Sequence, residues 1–224
     1  MKGFLFDTHI HTQESSKCGE VAAAQVVERY KSLGYNGIII TDHMHASNLR
    51  GKGETYEEKV NSFLEGYKAA KALADENFTV ILGMELRFPE NDNDYLVYGF
   101  DEAFIYEHNM LDSFATVKEF MPFAKEHNLV IFQAHPFRSG ITVIEPGIVD
   151  GIEVYNGHGG HDSRNDIAYR WAQKFSLPML SGSDYHYTSN AQPGGVYFKN
   201  EVKDSFDVAN AIRNGEYTLK IYTE

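Results

Sequence analysis

Imidazole and carboxylate side chains recur where short apolar runs of the sequence end. The run 4–6 leads into Asp7, His9 and His11, and later runs lead into similar sets. Alternate residues of a strand point to the same face, so His9 and His11 can bind one ion together. Imidazole with carboxylate suits zinc, iron or manganese, and a carboxylate can bridge two ions. The candidate metal ligands are His9, His11, His43, Glu85, His135, Asp184 and His186.

This set contains more ligands than one ion needs, and the sequence has a single cysteine, Cys18. Structural zinc sites are usually closed tetrahedral sets that include cysteines. Five of the ten histidines fall at the ends of apolar runs, whereas random placement would scatter them over helices and loops. The pattern therefore favours a catalytic site that holds more than one metal ion.

The runs that precede these residues are short and rich in β-branched or aromatic side chains, which indicates buried strands. They are 4–6, 37–40, 80–82, 95–98, 129–132, 151–155 and 178–180. Apolar residues at helical spacing predict helices over 23–33, 60–74 and 168–175, and a fourth, over 114–127, that Pro122 kinks or delays. Strands alternating with helices predict parallel βα units of an α/β fold. About seven units favour a barrel or a closed, distorted sheet, with its chemistry at the C-terminal ends of the strands.

Composition sets limits on the class of protein. The 224 residues contain no repeat or linker-like segment, so we expect a single domain over 1–224. One cysteine excludes an intramolecular disulfide. Neither a signal peptide nor a run of ~18 apolar residues is present, so we expect a cytoplasmic protein without membrane contact. A formal net charge of −12 argues against long nucleic acid as a partner. Binding of a small anionic substrate remains possible if metal ions supply positive charge.

Four segments resemble the motifs of the PHP (polymerase and histidinol phosphatase) family. They are 7–12, 41–43, 134–136 and 183–186, in the family's order, and the resemblance spans 4–195. It implies a distorted, TIM-like (β/α)7 barrel with two or three divalent metal ions (Zn, Mn or Fe) at the C-terminal ends of the strands. It also implies hydrolysis of phosphoesters.

The resemblance assigns the ligands to separate ions. The first metal would be held by His9, His11, Glu85 and Asp184. Glu85 would bridge to a second metal that also binds His135, and His43 and His186 would bind a third. Asp7 and Asp42 would be ligands or would orient ligating imidazoles. Asp42 and His43 are the residues to which we assign catalytic roles.

Two positions depart from the family pattern. Some members have a further histidine ligand after the fourth strand, where this sequence has Asp101, with Asp94 as the alternative. Members also have a histidine or aspartate after the first motif, where this sequence has Lys17 and Cys18. Cys18 is a candidate soft ligand, and Lys17 is a candidate contact for phosphate or a replacement for the charge of a missing ion. The alternative is an ordinary surface lysine beside a packed cysteine.

The expected reaction is hydrolysis of a small phosphomonoester by a metal-bound hydroxide. The sequence contains no Gly-x-Ser-x-Gly elbow and no Walker A loop, so no protein nucleophile is expected. Arg138 is the main candidate to clamp phosphate, because guanidinium binds it in a bidentate manner. Lys17 and Asn156 are further candidates for contact with the substrate. His158 and His161 flank glycines, and we interpret both as solvent-exposed loop residues, with a general-acid role as the alternative.

Other functions remain open at this point. A nuclease or nucleotide 3′-end processor fits the polymerase branch of the family, although the acidic net charge counts against it. A metal-binding accessory domain without catalysis and a phosphotyrosine phosphatase are the remaining candidates. Oligomeric state is not predicted.

Overall fold

The apolar runs form buried strands in a computed structural model, which describes residues 3–188 and 193–221. The strands are β1 (Phe4–Ile10), β2 (Gly37–Ile40), β3 (His43–Met44), β4 (Thr79–Leu82), β5 (Met84–Arg87), β6 (Asp94–Tyr98), β7 (Val130–Gln133), β8 (Gly151–Asn156), β9 (Met179–Gly182), β10 (Val196–Phe198) and β11 (Tyr217–Leu219). Within the described residues they form one sheet of order β11-β10-β1-β2-β4 and another of order β3-β5-β6-β7-β8-β9.

Seven helices occur in the described part of the chain. They are α1 (Ala23–Ser32), α2 (Ala46–Leu49), α3 (Tyr56–Lys71), α4 (Glu102–Glu107), α5 (Val117–Glu126), α6 (Asn165–Phe175) and α7 (Ser205–Arg213). All four helices predicted from apolar spacing are present. Thr55 and Glu58 form a capping box that starts α3 earlier than its apolar residues indicate. Helix α5 begins at Val117 behind the Thr116 cap, so Pro122 lies inside the helix and does not set its start.

The α/β prediction is confirmed, and the strand pairing is mixed. Four pairs are parallel: β1 with β2, β2 with β4, β7 with β8 and β8 with β9. Strand β6, in contrast, is antiparallel to both of its neighbours, β5 and β7. The described strands form two sheets that do not close into one. The sheets nevertheless meet at an isolated parallel bridge between Ile10 and Tyr185. They also share a core of side chains from both, including Phe6, Leu96 and Phe132.

A β-bulge in β1 changes the face of the strand on which the side chains at its end lie. Asp7 pairs with Ile38 and Ile10 with Ile40, so β1 has one extra residue over this stretch. Leu5 and Ile10 consequently share the core that contains helix α1, although strict alternation would place them on opposite faces. The bulge thus separates the face of Asp7 from that of His9.

Strand β6 supports this bulge from the other sheet. The hydroxyl of Tyr98 donates a hydrogen bond of 2.8 Å to the carbonyl of Thr8, and both residues are fully buried. The bond satisfies a backbone group where the strand ladder is interrupted. It also ties the two sheets together one residue before His9.

None of the helices in ranges 3–188 and 193–221 is long and apolar enough to cross a bilayer.

We expect Tyr98→Phe to lower the free energy of unfolding by about 1–3 kcal/mol, because it leaves a buried carbonyl without its donor. The control is Tyr106→Phe, which removes an exposed hydroxyl that bonds Asn61 and should change stability by less than about 0.5 kcal/mol. Denaturant unfolding of the two variants and the wild type measures this difference. Equal stability of the two variants would contradict the bracing role of Tyr98.

Candidate metal centre

The centre is organised around the Glu85 carboxylate, which is 0% exposed. One oxygen lies 3.3 Å from Nε2 of His9 and 3.4 Å from Nε2 of His135. The other lies 3.2 Å from Nε2 of His11 and 2.9 Å from Nδ1 of His43. Neither oxygen has a donor with hydrogen-bond geometry. Four imidazoles from three segments of the chain therefore surround one carboxylate without satisfying it.

Asp184 supplies a second buried carboxylate beside the first. Its Oδ1 lies 3.4 Å from Nε2 of His9, 3.3 Å from Nε2 of His11 and 3.0 Å from Nε2 of His186. Its Oδ2 lies 3.6 Å from Nε2 of His161. The two carboxylates thus share His9 and His11, whose Nε2 atoms are 3.1 Å apart.

The backbone is strained at two of these residues. His135 has φ of 31° and Asp184 has φ of 49°, which places both non-glycine residues at positive φ. Such conformations cost of order 1–3 kcal/mol each and are maintained only where surrounding contacts enforce them. The end of β9 is also closely packed against β1, since a Cβ on Gly182 would lie 2.5 Å from Cβ of His9.

Strand β8 fixes the orientation of His9. Nδ1 of His9 is 3.0 Å from Oε1 of Glu153, which leaves Nε2 facing the centre. Oε2 of Glu153 accepts hydrogen bonds from the backbone N–H of His135 and from Nδ2 of Asn156. The Asn156 amide also donates to Oδ2 of Asp184 at 3.1 Å. Asn156, a candidate for substrate contact, is therefore buried beneath the centre and positions its carboxylates.

A serine hydroxyl orients His11 in the same way. Oγ of Ser16 lies 3.2 Å from Nδ1 of His11 and donates a 2.6 Å hydrogen bond to Oδ1 of Asp42. Asp42 also accepts from the backbone N–H and the hydroxyl of Thr12. These bonds use both oxygens of Asp42, so its carboxylate acts on the centre through Ser16 and His11. Sequence reasoning missed Ser16, whose place depends on the turn after β1.

Asp7 lies outside the centre and joins β1 to the end of β9. Its carboxylate accepts hydrogen bonds from the hydroxyls of Tyr30 and Ser183 and from the backbone N–H of Ser183. Burial raises the pKa of Asp7 to about 6, although these hydrogen bonds oppose the shift. Of the two roles left open for Asp7, the contacts correspond to that of an orienting residue.

The charges of the centre are strongly coupled. Burial would raise the pKa of Glu85, but the imidazoles of His43 and His9 hold it well below its ordinary value. Burial would likewise lower the pKa of His11, yet contacts with Asp184 and Glu85 raise it to about 9. Two ionised carboxylates in a buried space thus require positive charge, which protonated imidazoles or bound cations can provide.

Several groups of side chains have the spacing of metal ligands. Within each group the candidate ligand atoms all lie within 4.8 Å of one another. Three of the groups are His9, His11 and Glu85; Glu85, Asp94 and His135; and His11, Cys18, His43 and His186. Imidazole and carboxylate donors of this kind, with the unsatisfied oxygens of Glu85, fit divalent metal ions.

The structure distinguishes between the two aspartates considered for the second metal. Asp94 begins β6 and lies 3.8 Å from Nε2 of His135. Asp101 instead caps helix α4 by accepting a hydrogen bond from the N–H of Phe104, so it is a helix-capping residue. Asp94 is also bound by Arg87, whose Nε and a terminal nitrogen lie 2.7 Å and 2.8 Å from its two oxygens.

The other candidates for contact with the substrate lie at the margin of the centre. Lys17 is exposed, and its amine donates to the carbonyls of Ser47 and Arg50. Arg138 is half-buried, and its N–H donates to the carbonyl of His135. No ion pair joins its guanidinium to a carboxylate within ranges 3–188 and 193–221. The Lys17 amine is thus held by two backbone carbonyls and not by the ring of ligands.

Two further residues reach the centre: Arg87, which sequence reasoning did not select, and His161, for which it gave a general-acid role only as the alternative. Arg87 lines one pocket with Lys17, Cys18, His43 and His45. Alternation along β5 could have identified Arg87, because it shares a face with Glu85. His161 is half-buried, and it stacks on His158 with ring centroids 4.1 Å apart. The prediction that these two histidines are solvent-exposed is wrong, because their loop folds back over Asp184.

Comparison with protein families gives two matches. The PHP domain matches residues 7–177, and a family described as PHP-associated matches residues 162–217. No curated protein matches the sequence at a significant level.

Three solved structures share the fold at low sequence identity. PsfC from Pseudomonas syringae has 14% identity and a TM-score of 0.70, with 100% of this chain and 93% of PsfC covered. A proposed metal-dependent phosphoesterase from Bifidobacterium adolescentis has 14% identity and a TM-score of 0.55, with 93% and 95% covered. An amidohydrolase from Chromobacterium violaceum, solved with sulfate, has 12% identity and a TM-score of 0.51, with 92% and 96% covered. At these identities the similarity shows the fold alone.

We expect Ser16→Ala to weaken metal binding by about 10–100-fold, because His11 loses the partner that orients it. Competition with a chelator measures this affinity. The matched control is Ser205→Ala, which removes another buried hydroxyl, bonded to the N–H of Gly99 far from the centre. The control should lose some stability but no metal affinity. Equal metal affinity of Ser16→Ala and wild type would contradict the orienting role.

Proposed function

The chain belongs to the PHP family, and we propose that it is a metal-dependent phosphoesterase that hydrolyses a small phosphomonoester. The observation that carries the proposal is the Glu85 carboxylate, buried among four imidazoles with neither oxygen satisfied. An ionised group in such a place costs several kcal/mol unless it is paired with positive charge. A bound cation can supply this charge in place of protonated imidazoles, because neutral imidazole is a common metal ligand.

The chain offers ligands for two or three divalent ions, with Zn, Mn and Fe as the candidates. The proposed ligands are His9, His11, His43, Glu85, Asp94, His135, Asp184 and His186. Bound divalent ions would polarise phosphoryl oxygens and lower the pKa of a bound water toward ~7. The His–carboxylate contacts described above keep the ligating nitrogens pointed at this space.

His161 is the proposed proton donor to the leaving oxygen. Its Nδ1 lies 3.1 Å from the Ser163 hydroxyl, and its buried Nε2 lacks a hydrogen-bond partner. Nε2 lies 3.6 Å from Oδ2 of Asp184, so it faces the centre from a half-buried position at its margin. A proton held at Nε2 would be placed to transfer to the leaving group, as general acid catalysis requires.

Arg87 is the proposed contact for the substrate phosphate, in preference to Arg138. Its side chain is a quarter exposed and lies in the pocket that contains His43 and Cys18. Guanidinium groups bind phosphate through two parallel hydrogen bonds. Because Asp94 already holds Arg87 in place, little conformational freedom would be lost on binding.

The named structural relatives support hydrolysis as the reaction class. One is a proposed metal-dependent phosphoesterase, and another is an amidohydrolase that was solved with sulfate, an anion of phosphate-like shape. The acidic net charge favours a small substrate over long nucleic acid. Cleavage of a nucleic-acid strand and metal binding without catalysis are alternative outcomes of the substrate test.

We further propose that the two sheets act as one distorted (β/α)7 barrel within a single domain of 1–224. The metals would then lie at the C-terminal ends of the strands, in a protein that acts in the cytoplasm without membrane contact. The parallel bridge between Ile10 at the end of β1 and Tyr185, three residues after β9, supports this arrangement.

We expect Glu85→Gln to lose at least one metal ion per chain and to lower hydrolysis of p-nitrophenyl phosphate by at least about 100-fold. The amide keeps the shape of the side chain but removes the negative charge that a metal needs. Elemental analysis and initial rates measure both effects. The matched control is Glu145→Gln, an exposed carboxylate on another surface, which should match the wild type. Full activity of Glu85→Gln, or an absence of metal in the wild type, would contradict the proposal.

We expect Arg87→Lys to raise KM for a phosphomonoester by about 10–100-fold, because bidentate hydrogen bonds to a charged group are lost. Arg138→Lys serves as the comparison and should change KM by less than about 2-fold. Steady-state kinetics on folded, metal-loaded variants provides the measurement. The reverse order of the two effects would assign the phosphate clamp to Arg138.

A further inference from the structure

Two histidines outside the candidate metal centre lie side by side. His108 follows the last residue of α4, and His127 follows the last residue of α5. Their ring centroids are 4.7 Å apart, and both residues are half-buried. Phe104 and Phe123 lie one helical turn earlier, and each of the four rings contacts the other three, with centroids 4.3–5.9 Å apart. The two imidazoles therefore pack against two phenylalanine rings.

The pair lies at the opposite end of β6 and β7 from the centre. Asp94 begins β6, and His135 follows the end of β7. At the other end of this antiparallel pair, Tyr98 pairs with Val130. Helix α4 starts after Tyr98 and α5 ends before Val130, so both histidines lie at that end. A site formed by them would be separate from the centre.

The nitrogens of both rings are free to bind a ligand. Within ranges 3–188 and 193–221, neither imidazole forms a hydrogen bond or an ion pair with another group. Neither ring has a buried nitrogen without a partner, so solvent reaches these nitrogens. The imidazole of His45, by contrast, accepts the N–H of Asn48 and caps a helix. Adjacent imidazoles without protein partners can bind protons, water or a metal ion.

Contacts of the backbone hold both histidines in place. The hydroxyl of Tyr56 donates a 2.6 Å hydrogen bond to the carbonyl of His108. The N–H of His108 donates to the carbonyl of Phe104 at 3.1 Å. The N–H of His127 donates to the carbonyl of Phe123, also at 3.1 Å. Little backbone freedom would therefore be lost when one ligand bound both rings.

The spacing of the two rings matches that of two imidazoles on one metal ion. A zinc–nitrogen bond of about 2 Å places the centroids of neighbouring imidazole ligands about 4.5–5 Å apart. The observed rings are 4.7 Å apart with planes inclined at 58°. His9 and His11, which are candidate ligands of the centre, have a similar separation of 5.1 Å and a similar angle of 60°.

We propose that His108 and His127 form a separate metal site that binds zinc, nickel or copper(II) through two imidazoles. Imidazole suits these three ions, whereas manganese binds nitrogen donors most weakly of the first-row divalent metals. In the described part of the chain no third histidine, cysteine or carboxylate joins this pair within ligand spacing, so water would complete the coordination.

The surroundings of the pair favour a bound cation. Helix C-termini carry partial negative charge, and His127 follows that of α5, which has ten residues. The phenylalanine rings limit access of solvent to one side of the site, and such an apolar shell tunes metal binding. The ion would link α4 to α5 and stabilise the folded chain, because the unfolded chain does not hold the two rings together. The inference is independent of the proposed phosphoesterase function.

Zinc content of the full, untagged chain tests the inference. After dialysis against excess zinc, we expect His108→Gln and His127→Gln each to hold one zinc ion fewer per chain than the wild type. Hydrolysis of p-nitrophenyl phosphate should be unchanged, because the pair lies away from the centre. The matched control is Lys125→Gln, an exposed residue on α5 two positions before His127, which should retain the zinc content of the wild type. Elemental analysis and initial rates measure these effects.

Chemical modification of the histidines provides a second measurement on the unchanged chain. Diethyl pyrocarbonate acylates free imidazole nitrogens, and mass spectrometry of peptides resolves each modified histidine. Zinc at about ten times its dissociation constant should slow the modification of His108 and His127 by about 10-fold, because only the unoccupied site reacts.

The outcomes separate this inference from the proposed function. Equal zinc content of the wild type and both histidine variants, or modification of the pair that zinc does not slow, would overturn the inference. The four rings would then serve packing alone, and the phosphoesterase proposal would stand. Protection of His108 and His127 without any zinc at His9 and His11 would contradict the proposed function and support this inference.

Discussion

The structure depends on how the negative charges of two buried carboxylates are offset by positively charged partners. Glu85 and Asp184 lie close enough to share His9 and His11, in a space almost without solvent. Removing such charges from water costs several kcal/mol per ion, and partners of opposite charge must offset it. The fold meets this requirement by bringing imidazoles to one point from the ends of strands in both sheets. Positioning of the centre and the meeting of the two sheets are therefore one structural problem.

Bulges and strained residues position the imidazoles and carboxylates of the centre. The extra residue in β1 turns His9 away from the face of Asp7, and a register shift in β8 lets both Glu153 and Asn156 face the centre. Positive φ at His135 and Asp184 costs further energy. A hydrogen-bonded layer of polar side chains beneath the ligands holds these conformations. Such networks are strong where every member is satisfied, and the unsatisfied side-chain atoms of the described residues include both oxygens of Glu85, Nδ1 of His43 and Nε2 of His161, which face the centre.

The centre has two chemically different sides. One side contains a thiol and the guanidinium of Arg87, which is bound to Asp94. The other contains the stacked imidazoles of His158 and His161 above Asp184. An anionic group that enters from the first side and a leaving group that departs by the second would fit this polarity. The asymmetry arises from two loops, one after β1 and one after β8, together with Arg87 at the end of β5.

The sequence by itself determined the features that follow from local periodicity. Apolar runs located the strands, helical spacing located the main helices, and the polar residues that end the runs included His9, His11, Glu85, His135 and Asp184. Only the tertiary structure decided what depends on register and on contacts distant in sequence. Asp94 faces Arg87 because β5 and β6 pair in antiparallel register, whereas Asp101 caps a helix. Both carboxylate oxygens of Asp42 accept hydrogen bonds from Thr12 and Ser16, which a tight turn places beside it. Periodicity fixes the face on which a side chain lies, but its partner is set by strand pairing, bulges and turns, which no local pattern encodes.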